Sequence, residues 1–182
     1  HVEDILYALS SIISLNLVDK IHLLIVGTGD NEYIEQIISI IDSENLTEYV
    51  TMTGFVNNPY PILSSLDLLI ASSHNEPFGR VLIESMLQKT PVLSSDSGAH
   101  TEIIIHGVNG FLYNEGSSES MHKAIVNIVL GRVSKNKIVE VAYRHSIHHY
   151  SAVAHAKKVV PKAFQEKLEE LFQDPSIINV LR

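Results

Sequence analysis

The sequence contains no cysteine, and this absence excludes disulfide bonds and thiol catalysis. It is compatible with a reducing compartment. Basic residues are few as well, because 13 Lys and Arg stand against 21 Asp and Glu, which gives a net charge of −8. Nucleic-acid surfaces need a local excess of Lys and Arg, so we expect no nucleic-acid partner.

Long hydrophobic runs are also missing from the chain. No stretch approaches the roughly 18 consecutive apolar residues of a transmembrane helix. The first residues show no basic flank followed by an apolar core. We therefore expect a cytoplasmic protein with neither a membrane span nor a secretory signal, while contact with a membrane surface stays open. With 182 residues the chain can form one well-buried domain and hardly two.

Short apolar runs rich in Ile, Val and Leu alternate with helical patterns along the chain. The runs predict strands that are covered on both faces, at Ile21–Val26, Tyr49–Met52, Leu66–Ala71, Pro91–Ser94 and Gly110–Tyr113. The helical patterns lie at Val2–Leu15, Glu32–Asp42, Tyr60–Ser65, Arg80–Gln88, Ala99–His106 and Ser118–Leu130. This alternation predicts an α/β fold with a doubly wound, Rossmann-like parallel sheet.

The strand pattern stops after Leu130, and two further helices are predicted at Lys135–His149 and Ala152–Phe172. We expect a Rossmann-like domain over residues 1–150 and a C-terminal helix and tail over residues 151–182. A doubly wound domain normally starts with a strand near the sheet centre. Here a helix follows His1 almost at once, so we expect the sequence to be a fragment that lacks its central strand.

The first candidate binding motif is Gly27-Thr28-Gly29, directly after a predicted strand. Glycines at this place let a ligand approach the backbone, and the following helix offers unpaired amides. A simple tight turn is the alternative, and the motif does not decide between the two. The third glycine of the dinucleotide fingerprint is missing, which disfavours a dehydrogenase-type cofactor site.

The most informative stretch runs from Ser72 to Glu84, where a strand ends in a polar loop that leads into a helix. Glu76 lies at the loop tip, outside the carboxyl end of the sheet, where open α/β sheets bind ligands. The amides of Gly79 and Arg80 lie at the positive end of the helix and predict a diphosphate site. Glu84, about one turn further, is placed to accept hydrogen bonds from a ribose diol.

Less specific interpretations stay open for these residues. Glu76 could act only as a partner of the helix dipole, and Glu84 could pair only with Arg80, four residues earlier. A third segment, Ser94–Glu102, again joins a strand end to a helix start, and its small residues allow close approach to the same crevice. Its alternative is that Ser97 or Asp96 merely caps the helix.

The ten histidines suggest a metal site, because His145, His148 and His149 share one helix face and His155 is nearby. No carboxylate lies among them at a ligand spacing. We favour a solvated face or a packing surface and predict no metal ligand.

Together these segments closely resemble the C-terminal, donor-binding half of family 4 retaining glycosyltransferases, two-domain enzymes of the GT-B architecture. The resemblance covers about residues 2 to 172 and includes Ile21–Gly29, Thr53-Gly54-Phe55-Val56, Thr90-Pro91-Val92, Ser97–Glu102 and Gly107–Leu112. Glu76 and Glu84, with Pro77-Phe78-Gly79 between them, match the E-x7-E signature of that family.

Carried over by position, the resemblance makes Glu76 the catalytic residue, facing the hydroxyl groups of the donor sugar. The implied donor-binding residues are Gly27 and Gly29 beside the phosphates and sugar, Val56 at the nucleobase, Gly79 and Arg80 at the diphosphate, Glu84 at the ribose, and also Phe78. The implied reaction moves a hexosyl unit, with retention of configuration, from a UDP-linked sugar to a glycan or lipid-linked acceptor. No metal or other cofactor is implied.

The Ile- and Asn-rich composition resembles bacterial surface-polysaccharide enzymes, such as those of lipopolysaccharide and O-antigen biosynthesis, at the cytoplasmic face of the inner membrane. The chain departs from the family at Ala99, where a second glycine is usual, and shows no counterpart of the first strand, its basic segment or the N-terminal acceptor domain. We expect the fragment alone to be inactive. A GT-B phosphorylase or epimerase and a non-catalytic nucleotide-sugar-binding module remain the alternatives.

Overall fold

A computed structural model describes residues 1–17 and 21–150 of the chain. The chain divides into two compact units, residues 1–143 and 144–182. Every described strand belongs to the first unit. The predicted helix Ala152–Phe172 lies outside the described residues.

The described elements alternate as the sequence predicts, and the α/β fold is confirmed. The helices are α1 (Val2–Ser14), α2 (Asn31–Ser43), α3 (Tyr60–Ser65), α4 (Arg80–Leu87), α5 (His100–Ile103), α6 (Ser118–Val129) and α7 (Lys135–Tyr150). The strands are β1 (Leu23–Val26), β2 (Val50–Gly54), β3 (Leu69–Ala71), β4 (Val92–Ser95) and β5 (Phe111–Tyr113). Side chains fix two of the helix starts: Asp30 accepts a hydrogen bond from the Tyr33 amide before α2, and Ser117 accepts one from the Ser120 amide before α6.

Helix α5 is shorter than the predicted Ala99–His106 and ends at Ile103. The cause is Asn109, whose side chain is buried beside the helix end. Its Oδ1 atom accepts from the Ile105 amide at 2.7 Å, and its Nδ2 atom donates to the Ile103 carbonyl at 2.9 Å. These two bonds satisfy the backbone groups that a longer helix would otherwise pair, so the chain turns toward β5.

The strands form two parallel sheets rather than one continuous sheet. The first sheet pairs β1 with β2, and the second has the order β3-β4-β5. Leu93 of β4 lies in register with Ile70 on one side and Phe111 on the other. Within the described ranges β1 and β3 are not paired, so the sheet is divided at the place where the sequence predicts a missing central strand.

One hydrophobic cluster holds both sheets in the first unit. Helices α1 and α6 meet in it through buried side chains that include Ile5, Ile12, Met121 and Ile125. Leu23 of β1 and Ile70 of β3 pack against the same cluster, one from each sheet. Both β1 and β3 thus pack on this core, and within the described ranges each lacks a strand partner on its other edge. The space between these two edges is called the slot.

The strands differ in burial, and the prediction that all of them are covered on both faces is wrong for β1 and β2. All four residues of β4 are buried, whereas the three middle residues of β2 are exposed and Val26 of β1 is 42% exposed. The cluster formed with α1 and α2 takes up Leu23, Ile25 and Val50. Because side chains alternate along a strand, the residues between them face away from that cluster.

We predict that a strand from outside the described residues fills the slot between β1 and β3. Leu23 and Leu69 donate their amides to the paired strands, so the alternating pattern directs the amides of Leu24 and Ile70 into the slot. In the full-length protein these two amides should exchange with solvent as slowly as those of Leu23 and Leu69. An experimental structure with β1 paired directly to β3 would contradict this prediction.

Candidate functional site

The loops that follow β3, β4 and β5 are joined to each other at the carboxyl edge of the second sheet. The Glu115 amide, after β5, donates to the Asp96 carboxylate, after β4, at 2.8 Å. The Glu115 carboxylate pairs with the His74 Nδ1 atom, after β3. Hydrogen bonds from Ser97 and from His74 lower the pKa of Glu115. The three loops at this edge of the sheet, where the sequence predicts ligand binding, are therefore connected by hydrogen bonds and an ion pair.

The Glu76 carboxylate binds the N-terminus of α4. Its Oε1 atom accepts from the Gly79 amide at 3.2 Å and from the Phe78 amide at 3.4 Å. Gly79 has a φ of 59°, in the left-handed region that favours glycine. An anionic oxygen thus already lies where amides and the helix dipole favour one. The dipole-partner interpretation of Glu76 describes this structure, and the Gly79 amide is occupied by Glu76.

The backbone around Glu76 is held by the segment between β4 and α5. The Glu76 carbonyl accepts from the Ala99 amide at 2.8 Å, and the Asn75 amide donates to Ser97 Oγ at 3.2 Å. Gly98 lies directly against the same loop, since a Cβ atom there would stand 2.6 Å from the Glu76 carbonyl oxygen. The small residues of this segment therefore permit backbone contact with the Glu76 loop.

The alternative that Ser97 or Asp96 caps α5 is wrong. The N-cap residue is Ala99, which makes no side-chain capping bond. Ser97 accepts from Asn75, and Asp96 accepts from Glu115, so both side chains bind neighbouring loops of the edge. Sequence reasoning missed these partners because they lie about twenty residues away along the chain.

Glu84 pairs with Arg80 one helical turn earlier, as the second alternative predicted. Arg80 Nη2 lies 3.4 Å from Glu84 Oε1, and the two side chains are 82% and 24% exposed, respectively. An exposed pair of this spacing contributes only about 0.3–0.5 kcal/mol. Breaking this ion pair so that Glu84 can contact a ligand would therefore cost little free energy. Phe78, in the loop before α4, is 72% exposed.

The remaining predicted residues lie at the carboxyl edge of the first sheet. The Gly27 amide donates to the Gly54 carbonyl at 3.0 Å, and Val56 follows two residues later, half-buried. Gly27 has a φ of 133°, and a Cβ atom there would meet no other group within 4 Å. The predicted residues thus form two groups, with Gly27, Gly29 and Val56 at one sheet and Glu76, Phe78, Gly79, Arg80 and Glu84 at the other.

His100 is a buried residue of this edge that sequence reasoning did not single out. Its side chain is fully buried, and burial lowers its pKa, so the imidazole is neutral near pH 7. Nδ1 lies 3.2 Å from Ser95 Oγ, and Nε2 has no hydrogen-bond partner in the part of the chain that the structure describes. The available signal was its spacing from Ile103 and Ile104, which puts it on the apolar face of α5.

Among residues 1–17 and 21–150 no group of three or more His, Asp and Glu side chains could hold a metal ion. The rings of His145 and His149 lie 4.5 Å apart, and burial together with the neighbouring histidines lowers the pKa of His145. His155 lies outside the described residues. No helix within the described ranges is both long and apolar enough to cross a membrane.

Solved structures define the class of this fold. Anabaena HepE in complex with UDP-glucose superposes with a TM-score of 0.77 at 26% identity, over 92% of this chain and 44% of that chain. The C-terminal domain of a glycosyl transferase group 1 family protein from Francisella tularensis superposes with a TM-score of 0.71 at 22% identity, over 83% of this chain and 80% of that chain. The fold is that of the C-terminal half of a GT-B glycosyltransferase.

Sequence comparison adds the family. The family model described as glycosyl transferases group 1 matches residues 1–145, and the chain belongs to that family. The lipopolysaccharide core biosynthesis glycosyltransferase LpsE of Rhizobium meliloti is 27% identical over 126 residues, 69% of this chain and 37% of that protein. The phosphatidyl-myo-inositol mannosyltransferase of Mycobacterium leprae is 31% identical over 124 residues, 66% of this chain and 32% of that protein. The chain thus spans about a third of the length of these relatives.

We predict that Gly98→Ala destabilises the fold more than Gly116→Ala does. Both glycines have a positive φ, of 53° and 68°, but a Cβ atom at Gly116 would meet nothing within 4 Å. The control variant, Gly116→Ala, is therefore destabilised only by the positive φ that alanine must adopt. Gly98→Ala must also displace the Glu76 backbone. The additional loss in the free energy of unfolding should be at least about 1 kcal/mol, measured by urea denaturation. Equal losses for the two variants would show that the contact is not tight.

Proposed function

We propose that the protein is a retaining hexosyltransferase that moves a hexosyl unit from a UDP-linked sugar to a glycan or lipid-linked acceptor. The observation that supports this most directly is the Glu76 carboxylate bound by the Phe78 and Gly79 amides, with Glu84 on the helix that follows. A helix end that binds a carboxylate oxygen is equally suited to a diphosphate oxygen. The UDP and UDP-glucose complexes of HepE, at 26% identity, support a nucleotide sugar as ligand.

Donor binding then requires two exchanges at α4. The diphosphate takes the Gly79 and Arg80 amides, and the displaced Glu76 carboxylate turns to the hydroxyl groups of the donor sugar. Glu84 leaves Arg80 and accepts hydrogen bonds from the ribose diol. Hydrogen bonds to a charged acceptor contribute about 1.5–3 kcal/mol, which exceeds the value of the exposed ion pair that is lost. Gly27, Gly29 and Val56 line the sugar and nucleobase ends of the same donor.

In the transfer step the bond between the anomeric carbon and the diphosphate oxygen breaks. The acceptor hydroxyl oxygen forms the new bond on the same face of the sugar, and its proton passes to the departing diphosphate. The amides at the start of α4 stabilise the charge that develops on that leaving group, because they are already oriented. We propose that no metal ion takes part and that further positive charge comes from residues outside the described chain.

The acceptor is proposed from the relatives. LpsE is named for lipopolysaccharide core biosynthesis, and the Mycobacterium leprae relative is named for a phosphatidylinositol acceptor. We propose a lipid-linked oligosaccharide of lipopolysaccharide or O-antigen assembly, reached from the cytoplasmic face of the membrane. The acceptor domain is then part of the longer protein, in keeping with the third of the relatives' length that this chain spans.

A panel of nucleotide sugars tests the proposal with the full-length protein. A bound ligand raises the unfolding temperature by mass action, so thermal shifts with UDP-glucose, UDP-N-acetylglucosamine and GDP-mannose rank the donors. Proton NMR of the product then reports the anomeric configuration. Binding without transfer would favour the non-catalytic module, and an inverted product would contradict retention.

We predict that Glu76→Gln lowers kcat much more than it weakens donor binding. Its charge is proposed to act mainly in the transition state, so a loss of about 1.5–3 kcal/mol corresponds to a roughly 10- to 150-fold lower kcat. The amide oxygen of Gln can still accept from Gly79, so the free energy of unfolding should change by less than about 1 kcal/mol. The matched control is Glu119→Gln, which removes an exposed ion pair with Lys123 on α6. Unchanged kcat in Glu76→Gln would leave only the dipole-partner role.

We predict the opposite pattern for Glu84→Gln. A ribose diol prefers a charged acceptor, so the Kd for UDP should rise about tenfold or more while kcat at saturating donor stays close to that of the unmodified protein. Isothermal titration calorimetry with UDP measures the change, again against Glu119→Gln. If both variants bind UDP equally well, Glu84 serves only the ion pair with Arg80.

A further inference from the structure

A chain of hydrogen bonds connects the buried His100 to the loop that carries Glu76. The hydroxyl group of Ser95, the last residue of β4, donates to the Ser73 carbonyl at 2.8 Å. Ser95 Oγ also lies 3.2 Å from Nδ1 of His100, the first residue of α5. The contacts thus run from α5 through the end of β4 to the loop three residues before Glu76.

These contacts define the tautomer of His100. A serine hydroxyl has one hydrogen, and Ser95 uses it for the Ser73 carbonyl. Ser95 Oγ must then accept, so the hydrogen of the neutral imidazole lies on Nδ1. Nε2 is left as a bare acceptor, buried and without a partner in the described ranges. A buried acceptor of this kind lowers stability, and its presence at the candidate site requires an explanation.

The ring of His100 also lies beside the start of α4. Its Cδ2 atom would stand 3.6 Å from a Cβ atom placed on Gly79. Gly79 is the residue whose amide binds the Glu76 carboxylate. One buried side chain is therefore next to Gly79 and, through Ser95, bonded to the loop on the other side of Glu76.

We infer that His100 is a positioning residue, which holds the Glu76 loop against the start of α4 by donating from Nδ1 through Ser95 to the Ser73 carbonyl. Nε2 is closed off from solvent, so His100 acts through Glu76 and Gly79 rather than on the substrate itself. The inference rests on the proposed function for its catalytic consequence. The hydrogen bonds that position the Glu76 loop belong to the folded protein whether or not a nucleotide sugar is bound.

Two substitutions separate the donated hydrogen bond from packing. In His100→Asn the side-chain amide can occupy the place of Nδ1–H, but the shorter residue leaves a cavity and lowers the unfolding temperature. In His100→Leu the volume is nearly kept and the unpaired Nε2 is removed, but the Nδ1 donor to Ser95 is lost and the Tyr113 hydroxyl remains bonded to that side chain. We expect kcat of the full-length enzyme to fall about 10- to 100-fold in His100→Leu and to stay within about threefold in His100→Asn. The Kd for UDP should change less than kcat in both.

Ser95→Ala tests the middle of the chain of bonds and gives an independent result if His100→Leu fails to fold. It should lower kcat as much as His100→Leu, and the double variant should be no worse than either single one, because the residues act as a unit. Ser94→Ala is the matched control, since Ser94 is also buried in β4 but its hydroxyl donates to the neighbouring Ser95 carbonyl. It should leave kcat unchanged.

Amide hydrogen exchange, measured in the absence of any nucleotide sugar, reports directly how firmly the Glu76 loop is held in place. The Asn75 and Ala99 amides, which bond across the two segments, should exchange faster in His100→Leu and at the original rate in His100→Asn. If exchange follows this pattern but the unmodified protein transfers no sugar, the proposed function fails and the positioning of the loop stands. If exchange and kcat are both unchanged in His100→Leu, or if activity follows the unfolding temperature across the variants, the inference is overturned.

Discussion

Strand β4 pairs with β3 on one side and β5 on the other, and the candidate site depends on this pairing. The parallel register brings the loops after the three strands to one edge, where Glu76, Ser97 and Glu115 belong to one hydrogen-bonded set. Every residue of β4 is buried, so its position is fixed by the core rather than by solvent-exposed contacts. Loops that carry function are precise when rigid elements hold them in this way.

At the start of α4 a carboxylate of the chain itself occupies the backbone amides. Gly79 adopts a left-handed conformation that opens its amide, and Glu76 supplies the anionic oxygen that the amide requires. An amide without a partner in this position would cost stability, and a free carboxylate would repel a diphosphate. Under the proposed function, one exchange of partners removes both problems, because the diphosphate takes the amide and the carboxylate moves to the sugar.

Much of the fold could be predicted from the sequence because its signals are local. The periodic apolar residues and the buried runs predicted each described helix and strand, and α3 has the predicted bounds Tyr60–Ser65. The end of α5 was missed because Asn109 reaches back to the helix from a later turn. The exposure of β2 was missed because it depends on which helices cover the faces of its sheet, and α1 and α2 contact only one face.

The distinction between local signals and contacts made by distant parts of the chain also applies to the candidate site. The positions of Glu76 and Gly79 at a strand end and helix start followed from the local pattern, and so did the pairing of Glu84 with Arg80. The roles of Ser97 and Asp96 did not, because their partners belong to other loops. His100 was overlooked because one histidine among ten carries no signal until its burial is known.

The contact between α1 and α6 has a consequence for synthesis of the chain. Leu6 and Leu9 of α1 pack with Ile37 of α2, which is made soon afterwards. Ile5 and Ile12 on the other side of α1 pack with residues of α6, which the ribosome reaches about 115 residues later, or roughly 6 to 23 seconds at 5–20 residues per second. During that interval one apolar side of α1 has no native partner from α6. The nascent chain therefore lacks the α6 part of this contact until α6 is made, and ribosome-bound chains that end before α6 should expose more of the apolar surface of α1 than the folded protein does.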